Sequence, residues 1–266
     1  MTTTESTARQ RFLENYRRIR HAEGRGSNES AYYRALPFED LSKRSAAMWR
    51  MRAKTCRYFE KHILAPLERR TARPLDILDL GSGNCWLSYR LTLRKHRPVA
   101  LDIFHDELDG LLAARRYPIP FPVVEAEFDK LPFAPGSADL AIFNASFHYS
   151  TDYVRTLSEL RPCLRPNSSV VILDSPLYEK QEDGQRMVEE RHAEFLKRYG
   201  FRSDAVPSIE FLDSTTLSSL SGALGIRWKV FRPWYGWQWH TRRYKAWLRG
   251  RRTPSRFWIF EGRFEA

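Results

Sequence analysis

The 266-residue chain has only three cysteines, Cys56, Cys85 and Cys163. Odd in number and widely spaced, they suggest neither a disulfide framework nor a zinc site, and they fit a reducing cytoplasm. No apolar run approaches the roughly 20 residues that cross a bilayer. Met1 to Gln10 is Thr-rich and polar, so no secretory signal is expected. Charge is unevenly spread along the chain. Residues 1–73 carry 17 Lys/Arg against 8 Asp/Glu, and residues 232–256 carry 8 against none. Residues 74–231, by contrast, carry 18 against 22. The net charge of +12 therefore resides in two basic segments flanking a mildly acidic middle. Such segments either decorate a solvated surface or meet an anionic partner such as nucleic acid, a phosphorylated metabolite or lipid.

What is present suffices for one sizeable core, since 42% of residues are hydrophobic, and a single domain with insertions is expected. Residues 1–30 are expected to form a poorly ordered arm ending in Gly24–Asn28. From Ser42 to Arg70 the spacing of Met48, Met51, Thr55, Tyr58, Phe59 and His62 predicts helix. Strand-like runs then follow at Asp76–Leu80, Val99–Asp102, Val123–Ala126, Asp139–Asn144 and Val170–Asp174. Helix candidates lie between them at Trp86–Lys95, Glu107–Arg116 and Tyr153–Leu164. This alternation predicts βαβ units and a parallel sheet covered on both faces. Beyond it come a long charged helix, Glu182–Tyr199, and a shorter one, Ser214–Leu224, with Ser214 as N-cap and Gly225 past its end. Two further strands are expected, Ile226–Arg232 and Arg256–Arg263.

The passage richest in chemistry is Ile77-Leu78-Asp79-Leu80-Gly81-Ser82-Gly83-Asn84-Cys85-Trp86. A strand runs into Gly-x-Gly and then a helix, so backbone can turn tightly and a ligand can approach with no Cβ in the way. The next strand ends at Asp102, whose carboxylate can accept both hydroxyls of a ribose. Dinucleotide sites want a third glycine where Trp86 stands, which disfavours a pyrophosphate and a nicotinamide oxidoreductase.

Residues 75–174 resemble the class I S-adenosylmethionine-dependent methyltransferases, especially the branch with ubiquinone and menaquinone biosynthesis enzymes. Leu78–Gly83 matches that family's first motif, and Asp102 its ribose-binding acid. Glu125–Phe133, Ala138–Asn144 leading into Phe147-His148-Tyr149, and Leu160–Asn167 resemble three further motifs in the expected order. The resemblance implies an α/β, Rossmann-like seven-stranded sheet, mostly parallel with its last strand antiparallel, helices on both faces and lid insertions. It implies S-adenosyl-L-methionine as cofactor, with Asp79 supporting the turn and the methionine moiety, Gly81 and Gly83 against the cofactor, Asp102 holding the ribose, and Ser82 and Ile103 among the cofactor-binding residues. Glu127 or Asp129 would accept from the adenine amine beside Phe128, and the Asn144 backbone would meet the methionine ammonium. Cys85 replaces the family's third glycine, and Glu127 its usual Asp.

Residues 1–73 are then an N-terminal arm with lid helices, and 74–266 the catalytic domain, with a cap insertion at 175–213 and an aromatic, basic insertion at 233–255. Tyr33, Trp49 and Arg52 are lid candidates. His148, just past the fourth strand, is the candidate general base, against a role in orienting a loop. His105 and His192 are weaker candidates. The 233–255 stretch interleaves Trp234, Trp237, Trp239 and Trp247 with Arg242, Arg243, Lys245, Arg249, Arg251 and Arg252. It suits peripheral contact with an anionic membrane surface, nucleic-acid stacking, or a packed hairpin with a solvated basic face. The expected acceptor is a small molecule or lipid-linked. Rival readings are a nucleic-acid methyltransferase, a nicotinamide enzyme and a non-catalytic cofactor-binding protein.

Overall fold

The computed structural model describes residues 3–202, 204 and 207–265. Its central sheet is built from β1 (Asp76–Leu80), β2 (Arg97–Asp102), β3 (Val123–Glu125), β4 (Ala138–Asn144), β5 (Leu164–Leu173), β8 (Ile226–Phe231) and β9 (Ile259–Phe264). The strand order is β3-β2-β1-β4-β5-β9-β8. The first five run parallel, and β9 lies antiparallel between β5 and β8. This is the Rossmann-like architecture expected. Two short strands, β6 (Leu177–Tyr178) and β7 (Leu212–Asp213), pair separately from it.

Alternation of side chains along each strand builds two cores. Ile77, Leu140, Ile142 and Val171 face one side, packing against α3 (Ala46–Phe59) and α5 (Trp86–Leu93) through Phe59, Trp86 and Leu91. Leu78, Ala141, Phe143 and Ile172 face the other, against α6 (Tyr153–Leu160) and α8 (Ser214–Leu224) through Leu157, Leu160 and Leu220. Every residue of β4 is buried, which places the middle of the sheet there.

The remaining helices are α1 (Thr3–Ala22), α2 (Ser30–Ala35), α4 (Ala65–Thr71), α7 (Gln181–Tyr199), α9 (Trp237–His240) and α10 (Arg242–Leu248), and a π-helical turn, Glu60–Leu64, joins α3 to α4. Several elements differ from the sequence expectation. Residues 3–30 are not a poorly ordered arm, because α1 docks on the sheet's carboxyl rim through Arg9, Tyr16 and Arg17. The stretch 107–116 forms no α-helix; only a 3-10 helix spans Leu111–Arg116. Asp106 accepts the Leu108 and Asp109 amides, both at 2.9 Å, and winds that chain into a turn. Asp213 rather than Ser214 caps α8, its carboxylate accepting the Thr216 amide at 2.7 Å. The last strand starts at Ile259, because Arg256 pairs its backbone with Leu177 at 2.8 and 2.9 Å.

Candidate functional site

In open α/β sheets the ligand crevice lies outside the carboxyl ends of the strands, where the strand order reverses. Here that point lies between β1 and β4. The β1 strand leads into Gly81 and Gly83, both left-handed at φ 74° and 53°. The Gly81 and Ser82 amides donate to the Leu101 carbonyl at 2.7 and 3.0 Å, which folds the turn onto β2. The Gly83 amide donates to Asp102 Oδ2 at 2.8 Å, while Asp102 Oδ1 accepts from the Phe104 amide at 2.9 Å. Glycine turn and acid are therefore one unit. Enclosure raises the Asp102 carboxyl above its ordinary value, and the hydrogen bonds from Phe104, Gly83 and Ile103 only partly offset that.

The two glycines answer different needs. A Cβ on Gly81 would sit 2.3 Å from Ser146 Cβ, on the loop after β4, whereas the nearest atom to a Cβ on Gly83 is the Asp109 carbonyl oxygen at 3.9 Å. Gly81 is thus demanded by the protein's own packing, and Gly83 opens onto space. Cys85, at the family's third glycine position, keeps left-handed backbone at φ 63°. Its thiol is fully buried, and burial pushes its pKa well up, which removes it as a nucleophile.

Asp79 is fully buried below the turn. Its Oδ2 accepts from Ser88 Oγ at 2.7 Å, but its Oδ1 has no hydrogen-bond partner among the described residues. Burial pushes its pKa up to about 7. Asn84 Oδ1 is likewise buried without a partner. Two orphaned acceptors beside an open glycine suit a ligand that donates hydrogen bonds, as an amino-acid ammonium does. Asn144 stands at the end of β4, followed by Ala145 in left-handed conformation at φ 56°.

The two candidate adenine acids differ in their commitments. Asp129 accepts from Thr156 Oγ1 at 2.9 Å and faces Arg155 at 3.5 Å, which turns it toward α6. Among the described residues the Glu127 carboxylate meets only Arg9 of α1, at 3.3 Å. Phe128 packs edge-on to Phe143, with its ring 3.1 Å from where a Gly81 Cβ would lie.

Helix α1 is the part of the site that sequence reasoning missed. Its arginines match the acidic rim: Arg9 meets Glu125 and Glu127, Arg17 meets Asp106 at 3.4 Å, and Arg20 grips Asp109. Tyr16 packs edge-on to Phe104 at 4.9 Å and to Tyr149 at 6.2 Å. Its hydroxyl is pushed well up by burial, with Arg20 working against that. The signal was present as Phe12, Tyr16 and Ile19, an apolar stripe at i, i+4 and i+7.

Segment 175–213 borders the same rim. The Glu210 amide donates to the His148 carbonyl at 2.7 Å and the Ile209 amide to that of Ser150 at 3.0 Å. The Glu210 carboxylate pairs with Arg191 of α7. A cavity of about 110 Å³ remains between α1 and α7, lined by Phe12, Tyr16, Tyr149, Arg191, Phe195 and Glu210. A larger cavity of about 700 Å³ between α8, β6 and the β8–β9 edge contains none of the candidate site residues.

His148 Nδ1 lies 3.3 Å from Ser175 Oγ. Burial lowers its pKa to about 3, with the Arg191 and Arg52 guanidiniums adding to the effect, so the imidazole is neutral throughout the physiological range. Nearby, Asp174 follows β5 in left-handed conformation and accepts from Thr55 Oγ1 at 2.7 Å, and Thr55 also meets the Tyr235 hydroxyl at 2.9 Å. Trp49 stacks edge-on to Trp86 and carries Arg52 on its ring, whereas Tyr33 hydrogen-bonds Ser27 and Leu108 in a structural role. His105 is exposed beside Glu125, and His192 lies beside Arg202 and 4.0 Å from Glu210.

Residues 78–172 match the family described as a methyltransferase domain. A malonyl-[acyl-carrier protein] O-methyltransferase of Legionella pneumophila is 30% identical over 100 residues, 37% of this chain and 35% of that protein. The matched segment thus spans about a third of the curated relative. Among solved structures, a putative sarcosine dimethylglycine methyltransferase of Galdieria sulphuraria is similar over 94% of this chain and 97% of its own, at TM-score 0.55 and 16% identity. The YcgJ protein of Bacillus subtilis is similar over 73% of this chain and 93% of its own, at TM-score 0.51 and 12% identity. At these identities the structures speak for the fold.

Two stability predictions follow from this geometry. Gly81→Ala should cost about 2–4 kcal/mol, combining left-handed strain with the clash at Ser146, whereas Gly83→Ala should cost about 1 kcal/mol of strain alone. Urea unfolding of the ligand-free variants checks this, and equal losses would contradict the packing role of Gly81. Asp79 holds its proton in the fold up to about pH 7 but in the unfolded chain only to about 3.8. Its contribution to stability is therefore complete below the unfolded value and disappears as pH rises through 7. Asp79→Asn should raise stability at pH 8 by about 1–4 kcal/mol and change it little at pH 4. Unfolding curves that coincide at pH 8 would show that the carboxylate is not destabilised.

Proposed function

We propose that this chain, whose residues 78–172 match a methyltransferase domain, is an S-adenosylmethionine-dependent methyltransferase that methylates a small-molecule or lipid-linked acceptor. The carrying observation is the 2.8 Å bond from the Gly83 amide to Asp102 at the reversal point of the sheet. In the proposed site Asp102, with Ile103 beside it, holds the ribose hydroxyls. Glu127, freer than Asp129, accepts from the adenine amine, with Phe128 against the base. Asp79 and the Asn144 backbone face the methionine ammonium, and Ser82 lies along the turn.

The cofactor supplies a methyl group on a sulfonium centre, open to in-line displacement by an acceptor held on the far side. The protein's task is to align that acceptor and keep water out. Helix α1 closes the rim from one side and segment 175–213 from the other, leaving the cavity at Tyr16, Tyr149 and Arg191 for the acceptor.

His148 at a pKa of about 3 is a weak base, far from the operating pH that favours proton abstraction. It suits an acceptor that arrives already deprotonated, which the guanidiniums of Arg52 and Arg191 would attract, and in this reading it orients rather than deprotonates. The Legionella relative is named for O-methylation, and an anionic oxygen is the acceptor chemistry that fits this rim best.

Calorimetry should find binding of S-adenosylmethionine and none of NAD. Asp102→Ala should weaken the former by about 1–3 kcal/mol through loss of a partner for buried hydroxyls. Unchanged affinity would contradict the ribose assignment, and tight binding with no labelled methyl product from a cell extract would favour a non-catalytic protein. His148→Asn should lower kcat by less than about tenfold, and the wild-type profile should show no inflection near pH 6.5. A loss of about 10²–10⁴ would restore His148 as the general base.

A further inference from the structure

The segment between β8 and β9 is held firmly on one side and bare on the other. On the held side, the Tyr235 hydroxyl bonds to Thr55 Oγ1 and to the Phe257 carbonyl, both at 2.9 Å, and Lys54 Nζ donates to the Tyr235 carbonyl at 2.7 Å. Trp239 packs between Tyr235 and Phe257 with the Arg242 guanidinium 3.3 Å over its ring. Arg243 and Arg256 pair with Glu179, and Arg252 with Glu190. These contacts fix α9 and α10 to the body of the protein, so their outer face is a built surface.

That outer face is apolar at its tip. Trp237 is 78% exposed, Trp247 77%, Leu248 75% and Tyr244 72%. Single exposed apolar side chains are ordinary, but four large ones on two adjoining short helices are not. Beside them Lys245, Arg249 and Arg251 are exposed, and no hydrogen bond or ion pair engages their side chains among the described residues. No acid stands anywhere in residues 232–256 to balance them.

We propose that α9 and α10 form a peripheral docking surface for an anionic lipid bilayer. Indole and phenol rings settle at headgroup depth, where an apolar body and a polar edge are both accommodated. Leu248 and Trp247 enter the acyl boundary, and the three free cations meet lipid phosphates. Two alternatives fit less well. For a nucleic-acid base, Trp234 is already stacked on His240 with ring centroids 4.0 Å apart, and Leu248, as exposed as Trp247 beside it, has no π-face on which a base could stack. A protein partner would have to place an acid opposite each of Lys245, Arg249 and Arg251, whereas an anionic headgroup layer supplies negative charge at every position. No helix among the described residues is long and apolar enough to cross a membrane, so this contact would be at the surface. Tyr235 ties the surface to Thr55 and Asp174 at the site rim. The docking does not depend on the acceptor's identity.

Flotation of the full chain with vesicles tests it without cofactor or acceptor. The chain should float with equimolar phosphatidylcholine and phosphatidylglycerol, much less with phosphatidylcholine alone, and less as salt rises. Joint Trp247→Ala and Leu248→Ala substitution should lower partitioning about tenfold or more with the melting temperature preserved. Trp237→Ala serves as a second variant if the pair fails to fold. Failure of the wild type to float with the mixed vesicles would overturn the proposal. So would flotation of a folded variant equal to wild type, or retardation of a short RNA, lost in the variants, in a chain that ignores vesicles.

Discussion

The site depends on a steric constraint at the end of β1: backbone from the glycine turn must pass between the β4 loop on one side and Asp102 on the other. Ser146 Oγ donates to the Leu80 carbonyl at 2.5 Å, and its Cβ occupies the space a Gly81 side chain would need. Asp102 then draws the Gly83 amide toward β2. Only residues without a Cβ, or held in left-handed conformation, can follow this path. Cys85, Ala145, Asp174 and Glu210 are non-glycine residues with positive φ at this rim. Strain of about 1–3 kcal/mol each persists only where surrounding contacts over-determine the backbone, which is a property of functional sites.

Charge closes the site where steric fit opens it. The basic excess in the first 73 residues has part of its counterpart inside the molecule, at Glu125, Glu127, Asp106 and Asp109 of the rim. The Arg9 pairs are partly exposed and contribute modestly, whereas Asp106 and Asp109 are buried and depend on their partners on α1. Their value lies in register: they set α1 so that Tyr16 lies against Phe104 and Tyr149. The second basic segment divides its charge differently. Arg243, Arg252 and Arg256 bind it to Glu179 and Glu190, while Lys245, Arg249 and Arg251 remain outward beside bare tryptophans.

The chain by itself determined the sheet, the glycine turn and the acid at the end of β2. Those features rest on local rules: alternation along strands, the freedom of glycine, and the placement of a carboxylate at a strand end. The Ser214–Leu224 helix was legible for the same reason, although its cap moved one residue to Asp213, whose carboxylate reaches the Thr216 amide. Tertiary structure alone decided the rest. That Asp129 turns toward α6 depended on Thr156, 27 residues away in sequence, and Glu127 was left to Arg9 of α1. The neutrality of His148 came from burial and from guanidiniums on α3 and α7. The order in residues 3–22 came from acids about a hundred positions away. Long-range packing sets which side chains lose their water and which charges find partners, and no local pattern encodes either.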